Sequence, residues 1–224
     1  MQKKSEFLRL LKPVGKVWLR PLEKYRISIS YATGTDVTPR TVEVAEAFGL
    51  GIDHQEPFVI YDNVELDIGP KDIVYITGES GSGKSVLLKF LANELRDQAI
   101  NLTDIHPDPQ KPLIDTVGKT TEEGLELLSK VGLGDAFLFV RRYSELSDDQ
   151  KYRYLITKLI ESQKQFWIMD EFCATLDRDT AKIVAFNVQK LARQLGRAVL
   201  TATTHTDLLN DLKPSVHVHK RFGK

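Results

Sequence analysis

Apolar and polar residues alternate along the first third of the chain, and this alternation predicts half-buried strands. The four strands predicted in this way are 26–31, 41–45, 59–68 and 72–77. Because only Gly69-Pro70-Lys71 separates the last two, we expect an antiparallel β start to the fold. A short amphipathic helix at 5–12 and a turn at 32–36 complete the predictions for this part of the chain.

Helical periodicity dominates after residue 85, where apolar residues recur with the spacing of one helix face. The predicted helices are 86–95, 121–131, 147–161, 178–195 and a short one at 206–212. Three apolar runs between and after them, at 166–169, 198–203 and 215–219, are typical of buried strands. Residues 101–120 show no clear period and predict a loop. Strands that alternate with helices indicate an α/β fold with a mostly parallel sheet covered on both faces.

Residues 78–85 read Gly-Glu-Ser-Gly-Ser-Gly-Lys-Ser and match the phosphate-loop pattern. Glycines let the backbone curl so that N–H groups point at phosphate oxygens, and the positive end of the following helix adds to the attraction. Lys84 is expected to reach the β- and γ-phosphates of ATP, and Ser85 to bind Mg²⁺. The predicted nucleotide-binding residues here are Gly78, Ser80, Gly81, Ser82, Gly83, Lys84, Ser85 and Val86.

Two acids, Asp170 and Glu171, follow the apolar run at 166–169. A buried strand would deliver Asp170 to the C-terminal edge of the sheet, where nucleotides bind in such folds. There Asp170 is expected to hold Mg²⁺ directly or through water, and Glu171 to polarise the attacking water as general base. An ordinary strand end is the alternative, and the phosphate loop upstream favours the catalytic interpretation.

Three further segments complete a pattern that resembles the ABC-type (ATP-binding cassette) ATPases over about residues 41–219. Residues 146–150, Leu-Ser-Asp-Asp-Gln, lie where that family has its Leu-Ser-Gly-Gly-Gln signature. Residues 174–177 resemble the loop that touches the opposite subunit, and residues 203–205 resemble the switch-histidine segment.

The resemblance implies an α/β, P-loop NTPase fold: an ABC-type cassette with a mixed sheet, an antiparallel β subdomain and a reduced helical subdomain at about 100–162. We expect the cassette to occupy residues 41–224. Residues 1–40 would form a basic N-terminal extension packed on it.

Members of that family sandwich two ATP molecules in a head-to-tail dimer, between the phosphate loop of one subunit and the signature of the other. The resemblance therefore implies an ATP-dependent homodimer, with Ser147 and Asp177 near the nucleotide. It also implies that His205 contacts the γ-phosphate and the attacking water. A helix-capping or core histidine is the alternative for His205.

Two further site residues are candidates only. Gln110 is the candidate for the glutamine that senses Mg²⁺ and water, and its alternative is a plain loop residue. Phe48 is the best-spaced aromatic to stack on adenine, with Phe58 and Tyr61 behind it. For each of these three a core aromatic is the alternative.

The spacing of the motifs departs from transporter cassettes. Only 25 residues separate Lys84 from Gln110, and 61 separate Lys84 from Leu146. Transporter cassettes are usually longer here, with a larger helical region that grips membrane subunits. The short region therefore weakens the interpretation of the chain as a transporter subunit.

Both signature glycines are replaced, by Asp148 and Asp149. A carboxylate ~6 Å from a γ-phosphate would repel one unit of its charge by about 0.7 kcal/mol in water and nearly 3 kcal/mol at an effective dielectric of ~20. Lys151, Arg153 or a Mg²⁺ ion could offset this repulsion. We expect weak ATP-driven dimerisation and slow hydrolysis.

Composition and charge narrow the remaining choices. The net charge is zero, and the single cysteine, Cys173, excludes an internal disulfide and a cysteine-rich metal site. No apolar run is long enough to span a membrane, so direct membrane insertion is not expected and a cytoplasmic location is. Residues 1–26 contain eight Lys or Arg, which indicates either a nucleic-acid surface or a solvated amphipathic helix followed by an edge strand.

Three functions stay open. The favoured one is a soluble ATPase that drives conformational change in a nucleic-acid or protein partner. Within the family, residues 143–147 and 170–177 resemble most the archaeal-type cassettes fused or adjacent to an acetyltransferase-like domain, so a non-hydrolysing switch or partner module of an acetyltransferase-like protein is the second. An ATPase subunit that serves separate membrane subunits of a transporter is the third.

Overall fold

The computed structural model describes residues 23–32, 37–50 and 57–222. The chain divides into two compact units, one drawn mainly from residues up to Asp67 and one that runs from Ile68 to Phe222. The helix predicted at 5–12, nearly all of the turn predicted at 32–36, and most of the basic N-terminal segment lie outside the described residues.

The first unit contains two strands, β1 (Glu23–Ala32) and β2 (Pro57–Ile68), which pair with each other. The Arg26 guanidinium donates to Glu65 at 2.7 Å, and the Asn63 N–H donates to the Ser28 hydroxyl at 3.0 Å. Residue numbers that rise on one strand and fall on the other mean that the pair is antiparallel. Tyr25, Ile27 and Ile29 are buried and alternate with more exposed residues, as the sequence pattern predicts.

The strand predicted at 41–45 is wrong, because these residues lie within helix α1 (Pro39–Phe48). Thr38 and Thr41 cap the helix start reciprocally, and Pro39 occupies the first helical turn. Gly49 ends the helix in the left-handed conformation, with φ of 64°. Five alternating residues are a weaker signal than a complete set of helix caps, and here the caps prevail.

The second unit is built on a five-stranded parallel sheet in the order β4-β5-β6-β3-β7. Its strands are β3 (Ile73–Gly78), β4 (Ala99–Asn101), β5 (Phe166–Met169), β6 (Ala198–Thr203) and β7 (Val216–Lys220). Every residue of β3, β5 and β6 is buried, so both faces of the sheet centre are covered, as predicted. The short strand β4 was not predicted.

The expected antiparallel hairpin of β2 and β3 is not formed, because β3 pairs in parallel with β6 and β7. The structure thus combines an antiparallel sheet, β1–β2, with a separate parallel sheet. The physical reason is burial: all six residues of β3 are apolar or buried polar, which suits the middle of a covered sheet and not a half-exposed hairpin.

Six helices accompany this sheet: α2 (Lys84–Leu95), α3 (Thr121–Lys130), α4 (Ala136–Phe139), α5 (Asp148–Glu161), α6 (Arg178–Leu195) and α7 (Leu209–Leu212). The five helices predicted after residue 85 are confirmed, although the last is a single turn, and α4 was not predicted. Side chains of α5 and α6 pack with Tyr75, Trp167 and Met169 of the sheet in one core. The loop predicted at 101–120 contains two short 3₁₀ turns.

Candidate nucleotide site

Three predicted motifs meet at one edge of the parallel sheet. Thr77 of β3 lies beside Thr203 of β6, and Met169 of β5 lies beside Thr201 of β6. The C-terminal ends of these strands are therefore neighbours, and each is followed by one motif: the phosphate loop, the acidic pair or the switch segment. This edge is where α/β sheets bind nucleotides.

The glycines of the phosphate loop occupy backbone conformations that other residues avoid. Gly78 has φ of 147°, and a Cβ placed there would lie 2.0 Å from the carbonyl oxygen of Lys220 on the neighbouring strand. Gly81 and Gly83 have φ of 75° and 101°. At Gly78 the loop therefore has no room for a side chain, and at Gly81 and Gly83 glycine adopts the positive φ without strain.

The Lys84 ammonium is buried inside the loop, where it donates to the carbonyl oxygens of Gly78 at 2.9 Å and Glu79 at 2.6 Å. Burial lowers the pKa of Lys84, and the charge of Asp170 opposes that shift. The acidic motif is thus within electrostatic reach of the phosphate loop. A nucleotide phosphate could take the place of the two carbonyl oxygens as acceptor of this charge.

The donor set fits a nucleotide and a hard cation. The Ser82 hydroxyl is buried and has no hydrogen-bond partner within the described residues, so it is available to donate to an oxygen of a ligand. Ser85 and Asp170, both partly exposed, supply the oxygen ligands that Mg²⁺ prefers.

The loop after β5 has an unusual backbone. Glu171 and Cys173 have φ of 50° and 55°, which is a rare conformation for residues with a side chain. The Glu171 N–H donates to the Asp170 carboxylate at 3.0 Å, and the Phe172 N–H donates to the carbonyl oxygen of Ala202 at 2.8 Å. This turn keeps Phe172 and Cys173 in the core while Glu171 stays exposed.

The switch segment is held through its backbone. The Tyr75 hydroxyl donates to the carbonyl oxygen of His205 at 2.6 Å, and the His205 N–H donates to Thr203 at 3.3 Å. Two residues later, Asp207 accepts two hydrogen bonds from Arg178, which lower the pKa of the Asp207 carboxyl. Arg178 is the first residue of α6, so this pair connects the switch segment to the segment that contains Asp177.

Asp177 caps α6. Its carboxylate accepts from the N–H groups of Asp179 at 3.1 Å and Thr180 at 3.0 Å, and hydrogen bonds to Thr180 lower its pKa. Its side chain is exposed.

The remaining candidates are Gln110, in the second unit, and the aromatic residues of the first unit. Gln110 is exposed, and its side-chain oxygen accepts from the Arg142 guanidinium at 3.3 Å. Phe48, in the first unit, is 77% exposed at the end of α1. Tyr61 is buried, as a core aromatic is, and the side chain of Phe58 lies outside the described residues. The roles assigned to Gln110 and Phe48 stay predictions.

The signature segment forms the start of α5, with the predicted capping box. The Gln150 N–H donates to the Ser147 hydroxyl at 3.3 Å, and the Ser147 N–H donates to the Gln150 side chain at 3.1 Å. Asp148 is 91% exposed and lies 3.5 Å from Lys151. Asp149 instead forms an ion pair with Arg153 and is only 33% exposed.

Contacts from tyrosine side chains were missed by sequence reasoning. Tyr75 contacts the switch segment, and the Tyr152 hydroxyl accepts from the Cys173 N–H at 3.1 Å. Both tyrosines lie within three residues of a predicted motif. Proximity to a motif was the available signal, but it does not say which distant loop a side chain will meet.

A family model described as an AAA domain matches residues 68–220. The chain is 29% identical to the cytochrome c biogenesis ATP-binding export protein CcmA of Reclinomonas americana, over 67% of this chain and 80% of that one. It is 24% identical to the methionine import ATP-binding protein MetN of Rhizobium etli, over 84% of this chain and 63% of that one.

A third relative, the zinc import ATP-binding protein ZnuC of Jannaschia sp., is 30% identical over 62% of this chain and 63% of its own length. Among solved structures, the ADP- and phosphate-bound dimer of the ATP-binding cassette MJ0796 is similar, with a TM-score of 0.63. Its identity is 16%, and the match covers 91% of this chain and 97% of that one. In the part of the chain that the structure describes, the helices are all too short or too polar to cross a bilayer.

Proposed function

Because this chain belongs to the AAA-domain family and is an ABC-type ATPase, we propose that it hydrolyses Mg-ATP slowly in a head-to-tail homodimer. Its P-loop cassette fold is that of the MJ0796 structures. The observation that carries the proposal is the convergence at one sheet edge of the phosphate loop with its buried lysine, the acidic pair and the switch segment.

Each residue of this edge has a proposed role. The loop N–H groups and Lys84 bind the β- and γ-phosphates, and Ser85 and Asp170 hold Mg²⁺. The bound ion would neutralise charge on the transferred phosphoryl group. Glu171 orients and deprotonates the attacking water, and His205 contacts the γ-phosphate. Gln110 would complete the set on moving from its contact with Arg142.

The proposal that two subunits share each nucleotide site rests on the exposed start of α5 and the exposed Asp177. In a head-to-tail dimer these would meet the nucleotide of the other subunit. Asp148, whose carboxylate is 91% exposed and 3.5 Å from Lys151, would then repel the γ-phosphate, whereas the shorter and less exposed ion pair with Arg153 neutralises Asp149. The repulsion between Asp148 and the γ-phosphate supports slow turnover and weak dimerisation.

The test compares the wild-type chain with Glu171→Gln. We expect Mg-ATP to produce a weak dimer in sedimentation velocity, and Glu171→Gln to increase the dimer fraction because it traps ATP. Steady-state phosphate release should fall about a hundredfold, the typical contribution of a general base. Glu122→Gln, an exposed acid at the start of α3, is the matched control and should retain wild-type release. Equal release by the wild type and Glu171→Gln would instead support a non-hydrolysing switch.

The output of the cycle is proposed to be conformational change in a nucleic-acid or protein partner in the cytoplasm. The basic segment at 1–26, most of which lies outside the described residues, motivates the nucleic-acid partner. Binding of DNA or RNA that weakens steeply with salt would support it. An acetyltransferase-like protein is the alternative partner. We also propose that residues 1–40 form the basic N-terminal extension and residues 41–224 the ATPase cassette.

A transporter subunit is the second candidate function. The similarity to import and export ATP-binding proteins favours it. The compact helical region between β4 and β5 argues against it. Affinity purification from detergent-solubilised membranes distinguishes the two: a stoichiometric membrane protein, released by changes in the helical region, would establish the transporter role.

A further inference from the structure

Tyr152 joins two parts of the molecule that the proposed function uses separately. It lies on α5, two residues after the signature segment 146–150, and its side chain is partly buried. The Tyr152 hydroxyl accepts a hydrogen bond from the backbone N–H of Cys173 at 3.1 Å. Cys173 is two residues beyond Glu171, in the loop that follows β5.

That loop needs to be held in place. Glu171 and Cys173 both have positive φ, a conformation that persists in such residues when surrounding contacts determine it. Hydrogen bonds within the loop include Ala174 N–H to the oxygen of Glu171 at 2.9 Å, and β6 contributes the oxygen of Ala202, which accepts from Phe172 N–H at 2.8 Å. The bond from Cys173 N–H to Tyr152 connects the loop to α5.

We infer that Tyr152 is a positioning residue, which fixes the loop that presents Glu171 and couples it to the start of α5. The inference rests on the proposed function for its consequence. In a head-to-tail dimer the start of α5 faces the nucleotide of the partner subunit, whereas Glu171 faces the nucleotide of its own subunit. If closure on the partner's nucleotide displaces α5, the displacement would therefore also move Glu171, the general base at the subunit's own nucleotide.

Tyr154, two residues further along α5, provides a matched control. The Tyr154 hydroxyl, also on α5, hydrogen-bonds the Thr116 hydroxyl at 2.8 Å, and Tyr154 is fully buried. Thr116 keeps a second bond, to the oxygen of Leu113 at 2.7 Å. Tyr152→Phe and Tyr154→Phe thus remove the same atom from the same helix, but Tyr152→Phe alone releases the acidic loop.

Cys173 provides a direct reporter of the loop. It is the one cysteine in the sequence and is fully buried in the core. Burial raises the pKa of its thiol to about 12, and a hydrogen bond with the Tyr152 hydroxyl opposes that rise. Reaction with a thiol reagent therefore requires the loop to open, and the reaction rate measures how often it does.

The experiment measures this rate with 5,5′-dithiobis(2-nitrobenzoate) on the full chain without nucleotide, and ATP turnover in parallel. We expect Tyr152→Phe to react about five to ten times faster than wild type, the change that follows from one lost hydrogen bond. Its kcat should fall about tenfold with an unchanged KM for ATP, and its Hill coefficient should approach one. Tyr154→Phe should stay within about twofold of wild type in the thiol rate, kcat, KM and Hill coefficient.

Equal behaviour of the two variants, or an unchanged thiol rate in Tyr152→Phe, would overturn the inference. Thermal denaturation of both variants identifies any general loss of stability, which would accelerate the thiol reaction in both alike. If the wild type shows no turnover, the proposed function fails. The thiol comparison would still decide whether Tyr152 holds the acidic loop.

Discussion

Two helix starts in this protein are proposed to face nucleotide phosphates, and they are built in opposite ways. Helix α2 begins after Gly83, without a side-chain cap and without an acid in its first turn. Helix α5 begins with a Ser147–Gln150 capping box and carries Asp148 and Asp149 in its first turn. Both carry the positive end of a helix dipole, but only α2 leaves that charge uncompensated.

The difference shows what each start favours. An uncapped start leaves its first N–H groups without side-chain partners, and these groups attract an anion. A capped start with acids is stable by itself. Its cap side chain accepts hydrogen bonds from the first N–H groups, and its acidic side chains compensate the positive end of the helix dipole. In the proposed function the chain therefore holds one half-site whose helix N–H groups are open to phosphate, the ready half-site at α2, and one at α5 whose helix N–H groups are already capped.

The largest effect is expected where the ready half-site is broken. Lys84→Ala removes the buried ammonium, so binding of Mg-ATP should weaken at least about a hundredfold, since charge-assisted bonds to two phosphates are lost. Titration calorimetry with ATP measures this. Lys89→Ala, an exposed lysine on the same helix, is the control and should bind like wild type. Wild-type affinity in Lys84→Ala would mean that α2 is not the phosphate-binding start.

The second comparison separates the two aspartates of α5. Asp148→Gly should strengthen the ATP-dependent dimer about threefold to a hundredfold per site, which corresponds to repulsion of 0.7 to nearly 3 kcal/mol at ~6 Å. Asp149→Gly should change it less than about threefold, because Arg153 already neutralises that carboxylate. Sedimentation equilibrium of both variants, each in the Glu171→Gln background, gives the dimer dissociation constants. Equal gains would show that the Arg153 ion pair does not shield Asp149.

Asp149→Gly also has a cost that Asp148→Gly lacks. Arg153 donates to the carbonyl oxygen of Gly132 at 2.9 Å, which anchors α5 to the loop after α3, and Asp149 holds the same guanidinium from within α5. Loss of Asp149 leaves the guanidinium partly buried with one partner fewer. A lower melting temperature for Asp149→Gly than for Asp148→Gly is expected by differential scanning calorimetry.

Local pattern was sufficient to predict much of the fold and the ready half-site. Apolar runs predicted β5 and β6, and helical periodicity with caps predicted α5 and α6. The phosphate loop was predictable because eight consecutive residues carry the whole motif. The acidic pair reaches it because parallel strands end at a common edge, which follows from the fold class alone.

The predictions that failed depended on distant residues or on competing local signals. Helix α1 was missed because its capping threonines outweigh a short alternation. The sheet to which β3 belongs depends on β6 and β7, more than a hundred residues downstream. The unequal surroundings of Asp148 and Asp149 depend on Arg153 and Gly132, and no spacing rule predicts which aspartate is neutralised.

The smallest expected effect tests whether the cap of α5 itself limits phosphate binding. Ser147→Ala removes the side-chain acceptor for the Gln150 N–H and should lower the free energy of unfolding by about 1 kcal/mol. Thr120→Ala removes the equivalent cap of α3, where the Glu123 N–H donates to Thr120 at 3.2 Å, and should cost a similar amount. Urea unfolding measures both.

The two caps should differ in their effect on assembly. Ser147 is proposed to contact the partner nucleotide, so Ser147→Ala should weaken the ATP-dependent dimer a fewfold, whereas Thr120→Ala should leave it unchanged. If instead Ser147→Ala strengthens the dimer, the freed N–H of Gln150 binds phosphate better than the hydroxyl does. In that case the capping box, and not Asp148, is what keeps the α5 start from binding phosphate.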